Sequence, residues 1–247
     1  MGFLLQSSRL TEAGFPHGFT LRHGEDGRVL DFAFPSPNAG DSVSAVALAL
    51  GAAPSRVYQV TQVHGADVIE VVSTSGTSAA DVVNTRADAI VLRASTGAPR
   101  SAVGIRVADC IPLLVADPVT GDVAAIHAGW RGVVQRVAKA ALDRLAPGRK
   151  LAAIGPCIGP CCFEVSREVA EEIAAATDAR VVHSDEVPGK AHVDLRTAMR
   201  FQLQALGFAS EDVEDVGGCS KCDAALYHSY RRDGAESGRM LGVIASR

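Results

Sequence analysis

The sequence predicts an α+β fold, a single domain over residues 1–247 in which mixed β-sheets are flanked by helices. Strand-like apolar runs cluster in the middle of the chain and helical patterns follow them, without the alternation that is typical of a doubly wound fold. No linker rich in Pro, Gly or Ser separates two halves, and no internal repeat is present. A chain of 247 residues is long enough to bury a sizeable core in one domain.

Four helices are predicted from apolar spacing and from residues that begin or end helices. Ser166 and Asp194 are common capping residues at helix starts, and Gly51 and Gly207 follow the last apolar positions of two segments. The predicted helices cover residues 41–50, 133–145, 166–176 and 194–206.

Eight strands are predicted from short apolar runs that are bounded by turn-forming residues. Pro112 falls inside one of these runs, and because proline cannot donate a backbone hydrogen bond, it predicts an edge strand or a bulge there. The predicted strands cover residues 56–60, 67–72, 89–92, 102–107, 111–116, 123–126, 151–154 and 226–230.

The segment DPVTGD is a turn signal that joins two of these strands into a predicted hairpin. If residues 118–121 form a four-residue loop, Asp117 pairs with Asp122. Counting outward then makes Cys110 and His127 diagonal neighbours on one face of the hairpin, with Cβ atoms roughly 6–8 Å apart. That distance is short enough for the two side chains to share a metal ion.

Composition and charge narrow the class of protein. The hydrophobic fraction of 47% and the charged fraction of 21% are ordinary for a globular protein, and the net charge of −4 gives no basic surface for nucleic acid. No apolar run is long enough to span a membrane, and the N-terminal residues lack the pattern of a secretory signal. The six cysteines do not resemble a small disulfide framework, so we expect a cytoplasmic protein with reduced thiols.

Three residues are candidate metal ligands: His64 in QVHGADV, Cys110 in RVADCIPLL and His127 in IHAGWRG. Zinc accepts a mixed set of histidine and cysteine, and three protein ligands leave a fourth position open for substrate, as in catalytic sites. Two alternatives stay open. Cys110 is either an ordinary core thiol beside two unrelated histidines, or a nucleophile that uses His127 as its base.

Two further segments are candidates for binding an anion such as phosphate. The glycines of GWRG (129–132) would let a helix N-terminus approach the anion, and Arg131 could bind it in a bidentate manner. The alternative is a strand-to-helix turn with Trp130 filling the core. Arg231 and Arg232 could line a phosphate or ribose pocket, the alternative being a charged surface turn.

The other cysteines lie in two segments, GPCIGPCCFE (155–164) and CSKC (219–222). A lone CxxC is a weak signal and the spacing is irregular, so we expect these thiols to be packed rather than bound to metal. A four-cysteine zinc site built from the two segments is the alternative.

Taken in order, QVHGADV, ADCIPLL, HAGWRG, IGPCIGPCCFEV, HVDLR and YRRDG with SGRM closely resemble the YfiH family over about residues 56–240. This family is also called the multi-copper polyphenol oxidoreductase (laccase) family, or the peptidoglycan editing factors. The resemblance implies a YfiH-like fold and assigns His64, Cys110 and His127 as ligands of a zinc ion.

The resemblance also implies a purine nucleoside phosphorylase that acts on adenosine, inosine, guanosine and S-methyl-5'-thioadenosine, with adenosine deaminase activity. Its partners would be a small-molecule nucleoside and phosphate, and the oligomeric state is left open. Asp109 is the nearest carboxylate for proton transfer, and Gln62 is a candidate for substrate binding. The candidates for holding phosphate are three arginines. Arg131 would do so in a catalytic role, and Arg231 and Arg232 would do so as substrate-binding residues.

The family's other names imply alternative activities. One is a zinc amidase that edits peptidoglycan precursors by removing L-Ser from UDP-MurNAc-L-Ser, and another is a copper-binding polyphenol oxidase. A multicopper oxidase needs about ten histidine ligands with repeated His-x-His pairs. This chain has seven histidines and no such pair, so it cannot build that cluster alone, although Cu²⁺ can occupy the single site in vitro. A non-enzymatic binding module with a structural zinc is the last alternative.

Overall fold

The computed structural model describes residues 2–34, 36–184 and 187–247. Within these residues no helix is long and apolar enough to cross a membrane. The helices are α1 Ser8–Glu12, α2 Ala39–Leu50, α3 Ala79–Val82, α4 Trp130–Val134, α5 Val137–Leu142, α6 Arg167–Ala176, α7 Leu195–Ala205 and α8 Tyr230–Asp233. The strands are β1 Leu4–Leu5, β2 His17–Thr20, β3 Val57–Tyr58, β4 Val68–Val72, β5 Ala89–Arg93, β6 Ala102–Val107, β7 Ile111–Ala116, β8 Val123–Ala128, β9 Leu151–Ile154, β10 Glu164–Ser166, β11 Val182–Ser184, β12 Lys190–Val193, β13 Val213–Asp215 and β14 Met240–Ala245.

These strands form two large sheets and one small sheet. The five-stranded sheet has the order β1-β2-β14-β6-β3, the six-stranded sheet β13-β9-β7-β8-β5-β4, and the small sheet β10-β12-β11. Both large sheets mix parallel and antiparallel pairs, since β3 runs parallel to β6 and β4 runs parallel to β5. The predicted α+β fold with mixed sheets is therefore confirmed.

The two large sheets pack face to face, and alternate residues of one strand enter different parts of the core. In β7, Leu114 belongs to the cluster between the sheets with Phe19 and Ile105, whereas Leu113 packs with Ala138 of α5. Helix α2 covers the outer face of the five-stranded sheet. Because both faces of β7 are buried, the strand reads as a continuous apolar run rather than an alternating one.

The predicted hairpin register is confirmed. The backbone N–H of Asp117 donates to the carbonyl of Asp122 at 2.9 Å, and Ala116 pairs with Val123. This register places Cys110 and His127 at the same end of the hairpin, at the end of the six-stranded sheet where the candidate site lies.

The prediction of an edge strand or bulge at Pro112 is wrong. Strand β7 lies between β8 and β9 in the six-stranded sheet. Its pairing with β9 begins only at Leu113, so the missing N–H of Pro112 lies beyond that ladder. The carbonyl of Pro112 is satisfied by the N–H of Gly155 at 2.8 Å.

The predicted helix over 133–145 is interrupted. The carbonyl of Val133 accepts from the N–H of Arg136 at 3.0 Å and from Nε2 of Gln202 at 2.7 Å, which ends α4. Arg136 then adopts a left-handed conformation with φ 59° before α5 starts. The apolar pattern continues across this break because α4 and α5 both pack on the same core cluster.

The strand predicted at 226–230 is also wrong. The N–H groups of Leu226 and Tyr227 both donate to the carbonyl of Asp223, at 3.3 and 3.0 Å, and this closes a turn. Ser229 then caps the short helix α8, because its side chain accepts from the third N–H of that helix. The apolar and aromatic residues of this segment pack against the core and do not form a strand.

Candidate metal centre

Three side chains from separate segments meet at one end of the six-stranded sheet. His64 lies in the loop before β4, Cys110 directly precedes β7, and His127 lies near the end of β8. Their ligand atoms all lie within 4.8 Å of one another. The rings of His64 and His127 are perpendicular, with centroids 4.8 Å apart. The structure thus brings together all three residues that the sequence singled out as ligands.

The chemistry of this donor set fits one metal ion. Zinc binds cysteine sulfur at about 2.3 Å and histidine nitrogen at about 2.0–2.1 Å, so these three residues would hold one ion after small side-chain shifts. Two imidazoles and one thiolate suit copper as well as zinc. Three ligands leave one coordination position free for a substrate atom.

One buried carboxylate, that of Asp88, contacts the ring of His127 and the backbone of His64. Its Oδ1 lies 2.8 Å from Nδ1 of His127, so Nδ1 donates to this carboxylate and Nε2 is the nitrogen left to bind a metal. The same carboxylate accepts the backbone N–H groups of His64 at 2.9 Å and Gly65 at 2.7 Å. Asp88 is fully buried. Asp88 therefore fixes the tautomer of one histidine and the backbone position of the other.

The sequence reasoning missed Asp88. A signal was available, because a carboxylate directly before an apolar strand that is buried on both faces needs several hydrogen-bond donors. Here those donors are the metal-binding ring and the His64 loop.

Backbone geometry also shapes the centre. His64 has φ 60° and Asp109 has φ 90°, conformations that are costly for residues other than glycine and that cluster at functional sites. A Cβ added to Gly129 would lie 3.0 Å from Sγ of Cys110 and 3.2 Å from Cδ2 of His64. Gly129 therefore makes room for two of the ligands, which differs from the anion-binding role that the GWRG segment suggested.

Charges within the centre favour the thiolate form of Cys110. Burial raises the pKa of this thiol, but the neighbouring His127 and His64 outweigh it and lower the pKa to about 6. Burial lowers the pKa of His127, whereas the Cys110 thiolate and Asp88 raise it to about 9. Without metal, the two groups form a thiolate–imidazolium pair at neutral pH, and the thiolate is the form that binds metal.

In the metal-stripped protein, iodoacetamide is expected to alkylate Cys110 rapidly at neutral pH. The alkylation rate should be half-maximal near pH 6, because the thiolate is the reactive form. Added zinc should protect it. Peptide mapping by mass spectrometry measures the alkylated fraction at each pH. Cys157 is the internal control, because burial raises its pKa to about 11 and it should stay unmodified. A midpoint for Cys110 near the ordinary thiol value of about 8.5 would contradict the assignment.

The three ligands open into a cavity of about 790 Å³, a size typical of small-molecule sites. Of the other residues predicted from the sequence, Gln62, Asp109 and Arg231 line this cavity. Arg131 does not line it: it is exposed, with its guanidinium stacked 4.6 Å from the centroid of Trp130.

Arg232 also lies outside the cavity lining. Its guanidinium donates to the carbonyls of Ser220 and Tyr227 at 3.1 and 2.9 Å, and it pairs with Asp233 at 2.8 Å. These contacts fasten α8 to the preceding loop. In the structure, Arg232 therefore holds backbone in place rather than facing the cavity.

Two of the cavity residues are engaged with the protein itself. Gln62 makes a paired contact with the backbone of Arg106, since its Nε2 donates to the carbonyl and its Oε1 accepts the N–H, both at 2.7 Å. Asp109 accepts Oγ–H of Ser220 and the backbone N–H of Arg231, both at 2.6 Å. Both side chains position their neighbours at the cavity wall.

The cavity carries a positive charge that the sequence predicted only in part. Arg106 and Arg239 line it together with Arg231. Their guanidinium groups donate to backbone carbonyls, and among the residues the structure describes none is paired with a carboxylate. Burial and the charge of Arg239 lower the pKa of Arg106. An unneutralised cluster of arginines of this kind is a site for an anion.

The fold and the site define a protein with a candidate His₂Cys metal site that opens into a cavity lined by arginines. The chain belongs to the family described as multi-copper polyphenol oxidoreductase laccase, whose model matches residues 37–247. The described residues hold no histidine-rich copper cluster: two sets of residues could hold a metal, the His₂Cys set and a set of four cysteines.

Several known proteins are similar to this chain. The purine nucleoside phosphorylase of Deinococcus radiodurans is 34% identical over 96% of this chain and 91% of that protein. The adenosine deaminase RL5 of an unknown prokaryotic organism is 34% identical over 58% of this chain and 57% of that protein. The crystal structure of YlmD from Geobacillus stearothermophilus covers all of both chains with a TM-score of 0.82 at 27% identity.

Proposed function

We propose that this chain is a zinc-dependent purine nucleoside phosphorylase that accepts adenosine, inosine, guanosine and S-methyl-5'-thioadenosine and also deaminates adenosine. The observation that carries the proposal is that the His₂Cys set opens into a cavity with three arginines, none of which pairs with a carboxylate among the described residues. The names of the Deinococcus phosphorylase and of the deaminase RL5 support the two activities. We place the activity in the cytoplasm, where thiols stay reduced.

Phosphorolysis needs a phosphate held against the ribose. In the reaction, a phosphate oxygen forms a bond to C1′ while the bond from C1′ to the purine nitrogen breaks. The electron pair leaves with the purine, which takes up a proton, and the products are the free base and ribose 1-phosphate. The cavity arginines bind and orient the phosphate dianion, which converts a bimolecular encounter into a positioned one.

The cavity rim supplies a place for the purine. Phe34 and Tyr230 line the cavity and are 68% and 54% exposed, so each offers ring surface on which a base can stack. The guanidinium of Arg239 lies 5.7 Å from the centroid of Tyr230 and holds that ring beside the anion site. His64, Cys110 and His127 would hold a zinc ion, which would supply Lewis-acid polarisation of a reacting oxygen. Proton transfer by Asp109 stays a prediction, because both of its oxygens already accept hydrogen bonds.

The proposal is tested with the pure zinc-loaded protein and adenosine, with and without phosphate. We expect adenine and ribose 1-phosphate when phosphate is present, and inosine with ammonia in both cases. Parallel incubations contain UDP-MurNAc-L-Ser and a phenolic dye. Release of serine without any turnover of nucleosides would contradict the proposal and indicate the amidase activity. Oxidation of the dye alone would contradict it and indicate the polyphenol oxidase activity.

Arg106→Gln is expected to raise the KM for phosphate about 10- to 100-fold, because a hydrogen bond between charged groups contributes about 1.5–3 kcal/mol. The KM for adenosine should change much less. Initial rates at varied phosphate measure both constants. Arg131→Gln is the matched control and should leave both unchanged, since Arg131 lies outside the cavity lining. Equal effects of the two substitutions would contradict this placement of the phosphate.

A further inference from the structure

Four cysteines from two distant segments meet at the surface beside α8. Their Sγ atoms all lie within 4.8 Å of one another, and those of Cys161 and Cys162 are 3.5 and 3.4 Å from Sγ of Cys222. An isolated β-bridge between Cys157 and Cys219 brings the segments together. The cysteine cluster consists of Cys161, Cys162, Cys219 and Cys222.

Backbone N–H groups converge on one sulfur of the cysteine cluster. The N–H of Gly159 donates to Sγ of Cys219 at 3.2 Å. The N–H groups of Lys221 and Cys222, from the same CxxC turn, also point at this sulfur. Donors arranged in this way stabilise a thiolate, the form that binds metal.

We propose that the cysteine cluster binds a second metal ion, Zn²⁺, in a closed site of four thiolates. Tetrahedral zinc with bonds to sulfur of about 2.3 Å places the sulfur atoms about 3.8 Å apart, close to the spacing that the cluster already has. Four sulfur ligands leave no open position, so this zinc is structural, unlike the ion of the His₂Cys set. Binding displaces the thiol protons into solvent, and no oxidant or reductant takes part.

The cysteine cluster is joined to the wall of the cavity. Ser220, inside the CxxC turn, donates to Asp109 at 2.6 Å, and Asp109 also accepts the N–H of Arg231. The guanidinium of Arg231 donates in turn to the carbonyls of Glu164 and Cys162, at 2.9 and 3.4 Å. A metal ion in the cluster therefore fastens the two loops that hold Asp109 and one of the cavity arginines.

Metal stoichiometry tests the proposal. Protein produced with zinc and purified under reducing conditions is analysed by elemental mass spectrometry. We expect two zinc ions per chain in the wild type, one in the Cys219→Ser/Cys222→Ser double variant, one in Cys110→Ala, and none in the triple variant. Cys157→Ala is the matched control: this buried cysteine lies beside the cluster but outside it, and the variant should retain two.

A second measurement keeps the test decisive if the double variant does not fold. Cys110→Ala, with the cysteine cluster intact, is loaded with Co²⁺, and its visible and X-ray absorption spectra should show a tetrahedral ion with four sulfur neighbours. The proposal is overturned if the wild type holds a single zinc that Cys110→Ala removes. It is equally overturned if Cys110→Ala binds no Co²⁺, or if the intact mass shows a disulfide in the cluster of the freshly purified protein. None of these three outcomes bears on the nucleoside assays, which depend on the His₂Cys set.

Discussion

Cys110→Ala is expected to lose the metal ion of the His₂Cys set and to reduce kcat/KM for adenosine phosphorolysis at least about 1,000-fold. Metal polarisation contributes several kcal/mol to a transition state, and each 1.36 kcal/mol is a factor of ten. The thiolate is the anionic ligand of the set, so its removal weakens the metal site most. The fold should largely survive, because Cys110 lies at the start of β7 and is only partly buried.

Elemental analysis, steady-state kinetics and thermal unfolding followed by circular dichroism measure these three effects on one preparation. Cys157→Ala serves as the matched control, a buried cysteine that contributes to neither candidate metal site. His64→Ala and His127→Ala should each remove the same ion. A full metal content in both histidine variants would mean that the three residues do not form the site.

Asp88→Ala should have the largest effect on stability of any single substitution near the centre. It leaves the ring nitrogen of His127 and the backbone N–H groups of His64 and Gly65 without their buried acceptor. Each such loss costs about 1–3 kcal/mol, so we expect the free energy of unfolding to fall by about 3 kcal/mol or more. The affinity for zinc should fall about 10- to 100-fold, the usual effect of removing a carboxylate that orients a metal-binding histidine.

Chemical denaturation of the metal-free protein measures the stability, and competition with a chelator measures the affinity. Asp67→Asn is the control, since Asp67 is an exposed carboxylate in the same loop region. Asp88→Asn should fall between the wild type and Asp88→Ala, because its amide oxygen still accepts some of the N–H groups. If Asp88→Ala kept wild-type affinity for zinc, the orienting role of this carboxylate would be refuted.

The part of the site that the sequence could predict follows from local geometry. The turn at 118–121 fixes the pairing of Asp117 with Asp122, and a strand period of two residues then fixes the faces of Cys110 and His127. The approach of His64 depends on how a distant loop folds, so it could be inferred only from resemblance to a family.

The rest of the site depends on contacts between distant segments. Arg106 and Arg239 reach one cavity because β6 pairs with β14, a pairing with no local signal in the sequence. Arg131 and Arg232 look equivalent to the cavity arginines in sequence, yet one stacks on Trp130 and the other bonds to nearby carbonyls. Short motifs identify the chemistry of an arginine, whereas the tertiary fold decides which arginine is used.

The position of β14 has a consequence for the order of folding. This strand is inserted between β2 and β6, and the N–H of Leu241 within it donates to Oγ1 of Thr20, 221 positions earlier. Closing so long a loop is entropically costly, and sheets built from such contacts form slowly. The three metal ligands lie between residues 64 and 127, whereas Arg239 immediately precedes β14. We therefore expect a nascent or refolding chain to capture its metal before the cavity that receives the substrate exists.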